Sequence, residues 1–241
     1  MISSAKFQKE IYSYYKVNKR DQLPWRQTKD PYRILVSEVM LQQTQVSRVL
    51  VKYPEFLKLF PTLKKLASAP LAQVLRAWQG LGYNRRALML YKAAQATMST
   101  HSTGLPRTYD ELLELPGVGP STAAGVMNFT HAKATPYLET NVRSVYLHFF
   151  FNDASCKSVS DKEILPILER TMDTKHPREW FYALLDYGVM LKKKHGNPNI
   201  RSAHYAKQSP FEGSRRQARA VALRKALKGR VSDKKLLKLL S

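Results

Sequence analysis

LPGVGPST, Leu115 to Thr122, is the stretch that decides the fold. Its two glycines one residue apart, the proline on each outer side and the closing Ser-Thr predict a tight turn that opens a helix. Glycine admits positive φ and close approach to the backbone. Proline suits the first position of a helix, where its missing N–H would have had no helical partner. Upstream, TYDELLEL predicts a helix ending near Leu115, and downstream STAAGVMNF predicts a second helix starting near Pro120. Together they form a helical hairpin, whose second helix offers free N–H groups and the positive end of its dipole. An anionic oxygen fits such a turn. An ordinary Gly-terminated helix followed by proline has the same spacing, so the turn alone does not decide the function.

Helical periodicity extends outward from this turn. Apolar residues recur at three and four in Phe56-Leu57-Phe60-Leu63-Leu66, in Leu71-Val74-Leu75-Trp78 and in Leu88-Leu90-Ala93-Ala94. Pro54, Pro61, Pro70, Gly80, Gly82, Gly104 and Pro106 punctuate them, and Pro136 is expected to end the helix after the hairpin. Strand-like alternation is almost absent, so an all-α chain of short helices and short turns is expected. Trp25 and Trp78 read as core residues.

The 241 residues, 44% of them hydrophobic, suffice for one substantial core or two lobes of interleaved segments. Forty Lys plus Arg against eighteen Asp plus Glu give a net charge of +22, a field that attracts polyanions, nucleic acid first. Charge alone leaves a ribosomal partner, an anionic membrane surface or simple solubility open. No run approaches the roughly 18 to 20 apolar residues of a membrane span. MISSAKFQKEIYSYYK has no apolar signal core, so a soluble intracellular protein is expected, cytoplasmic and nucleoid-associated if bacterial. Cys156 is the single cysteine, which excludes an internal disulfide or a multi-cysteine metal site and reads as an inert buried thiol. The basic block GSRRQARAVALRKALKGRVSDKKLLKLLS divides at Gly229, with Ser232 placed to cap its second stretch. It reads equally as a helical appendage along phosphates or as a solvated charged face.

YLETNVRSV places a carboxylate, Glu139, about twenty residues beyond the turn. With this acidic residue and the LPGVG hairpin, the chain resembles the helix-hairpin-helix glycosylases of base-excision DNA repair. LPWRQTKDPYRILVSEVMLQQTQV and LRAWQGLGYNRRALML resemble the MutY-type adenine DNA glycosylases in particular. The resemblance runs from about Leu23 to Met190.

Cutting an N-glycosidic bond requires a protonated leaving base and stabilisation of the cation that develops on the sugar. By resemblance Glu38 is the general acid that protonates a purine nitrogen. Its neighbours Val36, Val39, Met40 and Leu41 should raise its pKa by desolvation. Glu139 stands where the family usually has aspartate, whose role is to stabilise the sugar cation or bond to it. Ser121 falls where bifunctional relatives such as endonuclease III carry a Schiff-base lysine, so the resemblance implies a monofunctional enzyme. Lys92 and Lys133 are other amines without a family counterpart. Gln43 and Tyr83 match residues that insert into the base stack, because a base must be extruded before it can react. Arg26, Leu41 and Asn141 match the base pocket. Gly117, Val118 and Gly119 are expected to bind a phosphate through backbone N–H groups, with a weakly held alkali cation. Double-stranded DNA carrying a mispair is the implied partner, of a monomer.

The resemblance breaks where the family has four cysteines for a [4Fe–4S] cluster. Lys192, Asn199, Ser202 and Gln208 stand near those positions, so no cluster is expected. His195 and His204 read as solvated or hydrogen-bonded rather than zinc-binding. Tyr205, Ile200 and Leu191 are expected to hold this loop by packing. The C-terminal domain that senses 8-oxoguanine has no counterpart in this reading. A bilobal arrangement follows: 29–136 as a helical barrel with the hairpin, 1–28 with 137–207 as the second lobe, and 208–241 as a basic tail. Adenine opposite 8-oxoguanine or guanine is the implied substrate. A thymine or uracil mismatch glycosylase is the rival enzyme, which a purine-protonating Glu38 disfavours, and a non-catalytic DNA-structure binder is the rival from another class.

Overall fold

A computed structural model describes residues 2–101, 104–153, 158–229 and 231–240, so Cys156 and its expected burial lie outside the described residues. The helices are α1 (Ser4–Asn18), α2 (Pro31–Leu41), α3 (Val46–Leu59), α4 (Leu63–Ala67), α5 (Leu71–Ala77), α6 (Arg85–Thr100), α7 (Tyr109–Leu113) and α8 (Pro120–Val126), then α9 (Thr140–Phe150), α10 (Asp161–Thr171), α11 (Pro177–His195), α12 (Arg215–Leu227) and α13 (Asp233–Leu240). Among the described residues the nearest thing to a sheet is an isolated bridge between Val159 and Ser202. The expected all-α fold is what forms. No helix among the described residues is long and apolar enough to cross a membrane.

Chain contacts group the residues into two units, Met1–Gln27 with Ala124–Lys207, and Thr28–Ala123 with Gln208–Ser241. The boundary after the hairpin therefore falls at Ala124 rather than near 136. The second helix also ends early: α8 runs into a π-helical turn, Met127–His131, and Ala132 at φ 51° closes it before Pro136. Pro54, by contrast, ends nothing, since α3 runs through it while burying Val49, Tyr53 and Phe56.

In the first unit α1 starts at a Ser3 cap, which accepts the Lys6 N–H, and buries Phe7, Ile11 and Tyr15, a stripe spaced at four residues. Phe7 meets Tyr146 and Trp180 edge-on at 5.5 and 5.7 Å. Helix α11 packs against both α1 and α9. In the second unit α2 is buried nearly all round, through Tyr32, Ile34, Leu35, Val36, Ser37, Val39 and Met40, and it packs against α3 and α6.

The basic segment at the C-terminus is neither an appendage nor a free face. Helices α12 and α13 pack on α5 and on each other, burying Leu223, Leu227, Leu236 and Leu240. Arg76 Nε donates to the Leu227 carbonyl at 3.0 Å, and Ser232 Oγ caps α13 by accepting the Lys235 N–H. Each buried leucine contributes about 1.5–3 kcal/mol of apolar transfer. Residues 208–241 thus belong to the second unit.

Candidate active site

Glu38 is the half-buried carboxylate of a largely buried helix, flanked by Leu35, Ser37, Val39 and Met40 with Leu41 half-buried beyond. Asp30 fixes where that helix begins: its carboxylate accepts the Arg33 N–H at 2.9 Å, and Pro31 follows at the first helical position. At the other end the chain turns sharply, and Gln43 takes φ 52°. Tyr83 takes φ 46°. A side chain in this left-handed region costs on the order of 1–2 kcal/mol and persists where the surroundings impose it.

One guanidinium imposes it on both. Arg86 Nη1 donates to the carbonyls of Val39, Met40 and Gln42 at 2.7, 3.0 and 2.5 Å. Its Nη2 reaches Thr44 Oγ1 at 2.9 Å and the carbonyls of Leu81 and Gly82 at 3.4 and 3.2 Å. The same group lies 5.5 Å from the ring centroids of Tyr83 and Trp78. Burial pulls the Arg86 pKa down to about 10, so the cation persists at neutral pH. Trp78 is core, as expected, and its Nε1 also donates to the Gly82 carbonyl. Sequence reasoning passed over Arg86, whose only signal is its place three residues after Tyr83.

The hairpin forms between α7 and α8. Gly117 has φ +76°, and a Cβ there would lie 2.3 Å from Met89 Cβ, so only glycine fits. Gly119 meets neither constraint. The Val118 N–H donates to the Leu115 carbonyl at 3.0 Å, which removes it from the expected phosphate donors. Gly117 and Gly119 retain N–H groups with no acceptor among the described residues. Ser121 is half-buried, and the neighbouring Thr122 accepts from Gln42 Nε2 at 3.0 Å.

In the first unit Glu139 is the N-cap of α9. Its Oε1 accepts the backbone N–H groups of Asn141 and Val142 at 2.5 and 3.0 Å, and Asn141 Nδ2 approaches Oε2 at 3.4 Å. Lys192 Nζ donates to Asn141 Oδ1 at 2.9 Å. Burial pushes the Glu139 pKa up, opposed by the Val142 N–H, Lys192 and the Asn141 N–H. Burial likewise lowers Lys192, opposed by Glu139. Gly188 makes this approach of α11 to α9 feasible, for a Cβ there would sit 2.3 Å from the Asn141 carbonyl oxygen. Sequence reasoning missed Gly188, and its signal was a glycine inside a helical pattern.

Arg26, matched above to the base pocket, is held in an ion pair. Its side chain is 3% exposed, and both terminal nitrogens donate to Asp186 at 2.8 Å, with Arg20 sharing that carboxylate. It also lies 4.4 Å over the Tyr182 ring, so it holds its own loop in place. Trp25 is core, as expected.

The stretch expected to lack a cluster is held differently from the packing anticipated. Leu191 is buried, but Ile200 and Tyr205 are exposed. Buried Asn199 donates to the Thr140 carbonyl and to Ser144 Oγ, and Arg201 donates to the Phe151 carbonyl. His195 stacks on His148, and His204 lies 4.0 Å from Asp161.

An adenine DNA glycosylase of Buchnera aphidicola subsp. Baizongia pistaciae is 33% identical over 197 residues, covering 82% of this chain and 56% of the relative. The human adenine DNA glycosylase is 34% identical over 194 residues, covering 76% of this chain and 35% of its own. This chain spans about half the length of the curated relatives it matches. Among solved structures, a thermostable thymine-DNA glycosylase aligns with TM-score 0.71 at 24% identity, covering 81% of this chain and 90% of that one. An endonuclease III trapped with DNA aligns with TM-score 0.63 at 19% identity, covering 88% and 92%. At these identities the likeness speaks to the fold. The family model described as HhH-GPD superfamily base excision DNA repair protein matches residues 36–170, which include the second half of α2 with Glu38, the hairpin and Glu139. With more than half its length matched, the chain belongs to the HhH-GPD superfamily of base excision DNA repair proteins.

Proposed function

We propose that this protein is a monofunctional DNA glycosylase that hydrolyses the N-glycosidic bond of adenine mispaired with guanine or 8-oxoguanine. The observation that carries the reading is Glu38, a carboxylate half-buried among apolar neighbours on the helix that leads directly into Gln43. Such a group suits protonation of a purine nitrogen, so that the C–N electron pair leaves with a neutral base. Glu139 then faces the developing sugar cation. Its low-dielectric surroundings strengthen the attraction to that charge, and the capping N–H groups hold the carboxylate in place. Water adds to the sugar carbon and gives its proton to a carboxylate. Glutamate here caps its helix as the shorter aspartate would, which supports the same role despite the extra methylene.

Ser121 has no amine, so no Schiff base forms there and the abasic strand stays uncut. Gln43 and Tyr83 act as the inserting residues, Leu41 and Asn141 line the base pocket, and Gly117 and Gly119 take a DNA phosphate. An iron–sulfur cluster does not fit this chain, because its thiolate donors are missing: Lys192, Asn199, Ser202 and Gln208 stand near the expected positions, and Asn199 and Ser202 are buried, Asn199 in hydrogen bonds of its own. The enzyme works as a monomer on duplex DNA.

A panel of labelled duplexes with single mispairs tests the reading. Alkali-labile sites should appear at adenine opposite guanine and 8-oxoguanine, with no strand cleavage before alkali and no borohydride trapping. Sites at thymine or uracil instead, or no sites at all, would defeat it. Cleavage without alkali would defeat its monofunctional part.

A further inference from the structure

The second unit contains a cavity of about 1030 Å³ that reaches from Gln43, Tyr83 and Gly117 to the C-terminal segment. One side is formed by the turn after α2, the loop around Tyr83 and the start of the hairpin, and the other by the C-terminal segment from Gln208 onward. Arg48, Arg85, Arg86, Arg216, Arg219 and Arg224 line it, and no carboxylate does among the described residues. Tyr83 and Phe211 stay 37% and 54% exposed at its wall, large rings open to a stacking partner. The space exceeds what a small ligand needs and accommodates a nucleotide.

A polar chain ties the C-terminal segment to both candidate inserting residues. Gln208 Nε2 donates to Gln43 Oε1 at 3.0 Å. Arg216 Nη1 donates to Tyr83 Oη at 3.2 Å and lies 3.4 Å from Gln208 Oε1, while its Nη2 reaches the Ser209 carbonyl at 2.6 Å. A segment serving only phosphates would have no reason to contact these two side chains.

We propose that residues 208–224 make this cavity a pocket for the nucleotide that faces the extruded base, with Gln208 and Arg216 selecting its identity. The proposal rests on the glycosylase reading above. Cations without a neighbouring carboxylate draw in the sugar-phosphate, the exposed rings accept an unstacked base, and amide and guanidinium groups read its edge. An arginine fork matches the two acceptors of a guanine-type edge and has no such match on cytosine or thymine. Choice of the opposite base is thereby a property of the C-terminal segment as well as of Gln43 and Tyr83.

The test compares the full chain with Gln208→Ala/Arg216→Ala and with Arg216→Lys, which keeps the charge and loses the fork. Single-turnover excision of adenine is measured opposite guanine, 8-oxoguanine, cytosine and thymine. Emission from 2-aminopurine in the opposite position reports unstacking on binding. In both variants the preference for guanine over cytosine should fall by about tenfold, the discrimination one bidentate pair supplies. The rise in 2-aminopurine emission seen with the parent should be lost in the double variant. If the double variant fails to fold, Arg216→Lys decides alone. Preference and emission retained in the folded variants overturn the proposal. Faster excision in the double variant also overturns it, and makes the segment a lock on Gln43 and Tyr83. A parent that excises from no duplex defeats the glycosylase reading itself and this inference with it.

Discussion

Gly188→Ala would place a methyl carbon 2.3 Å from the Asn141 carbonyl oxygen and 2.8 Å from Asn141 Cβ, where ordinary contact begins near 3.4 Å. The nearest atom is backbone, so the helices must part by about 1.1 Å (3.4 − 2.3) at this point. Overpacking of this kind costs roughly 1–3 kcal/mol. Helix propensity favours alanine by about 1 kcal/mol, which leaves a net loss of up to about 2 kcal/mol. At this chain length that lowers the melting temperature by up to roughly 8 °C. The displaced peptide joins the Asn141 carbonyl to the Val142 N–H, one of the two N–H groups that hold Glu139 Oε1. A catalytic group moved by near 1 Å loses about a hundredfold in rate. Duplex affinity should stay within severalfold, since Gln43, Tyr83 and the hairpin belong to other stretches of chain. Thermal melting, single-turnover excision from an adenine–guanine duplex and fluorescence anisotropy measure the three quantities. A parent rate in a protein that melts lower would refute the reasoning, because the Asn141 peptide would then not control Glu139.

Glu38→Gln keeps shape but loses the proton, so excision should fall by about 10² to 10⁴ with duplex affinity nearly unchanged; parent-rate release of adenine would end the purine-protonation mechanism. Glu139→Gln should also abolish turnover, and adenine release at the parent rate would show the second carboxylate misassigned. Gly117→Ala meets both positive φ and Met89, and should cost about 2–5 kcal/mol, whereas Gly119→Ala should cost less than about 1 kcal/mol; equal melting temperatures would contradict the hairpin geometry. The raised Glu139 pKa means that the folded chain holds this proton more tightly than the unfolded one. That stabilising contribution is full below the unfolded value near 4.5 and is lost as pH rises through the folded value. Melting temperatures of Glu139→Gln and parent should therefore diverge in favour of the glutamine as pH rises from about 4, and parallel profiles would show that burial does not dominate at this site.

The hairpin was legible because local chemistry writes it: glycine at positive φ, proline at a helix start and apolar spacing at three and four all act within a few residues. The all-α class was legible for the same reason. Pro54 and Pro136 show the limit of that logic, since tertiary packing carried α3 through one, and a π-helical turn stopped the chain before the other. Glu38, Gln43 and Tyr83 could be named from motifs, but nothing local announces that Arg86 holds the backbone beside all three. Asp186 is 160 residues from Arg26, so the ion pair that occupies Arg26 was invisible in LPWR. The C-terminal segment misled for a related reason: its charge dominates its composition, while four leucines decide where it lies.

Arg86 links the last carbonyls of α2 to those of the loop before Tyr83, and both left-handed residues hang on that link. A lysine has one nitrogen and no plane with which to satisfy six acceptors, so no other cation can take its place. The consequence is thermodynamic coupling. Gln43 cannot relax to an ordinary backbone angle without loosening the bonds that fix Tyr83, and the reverse holds equally. The two positions are therefore mechanically coupled through one side chain, and substitutions at them should combine non-additively.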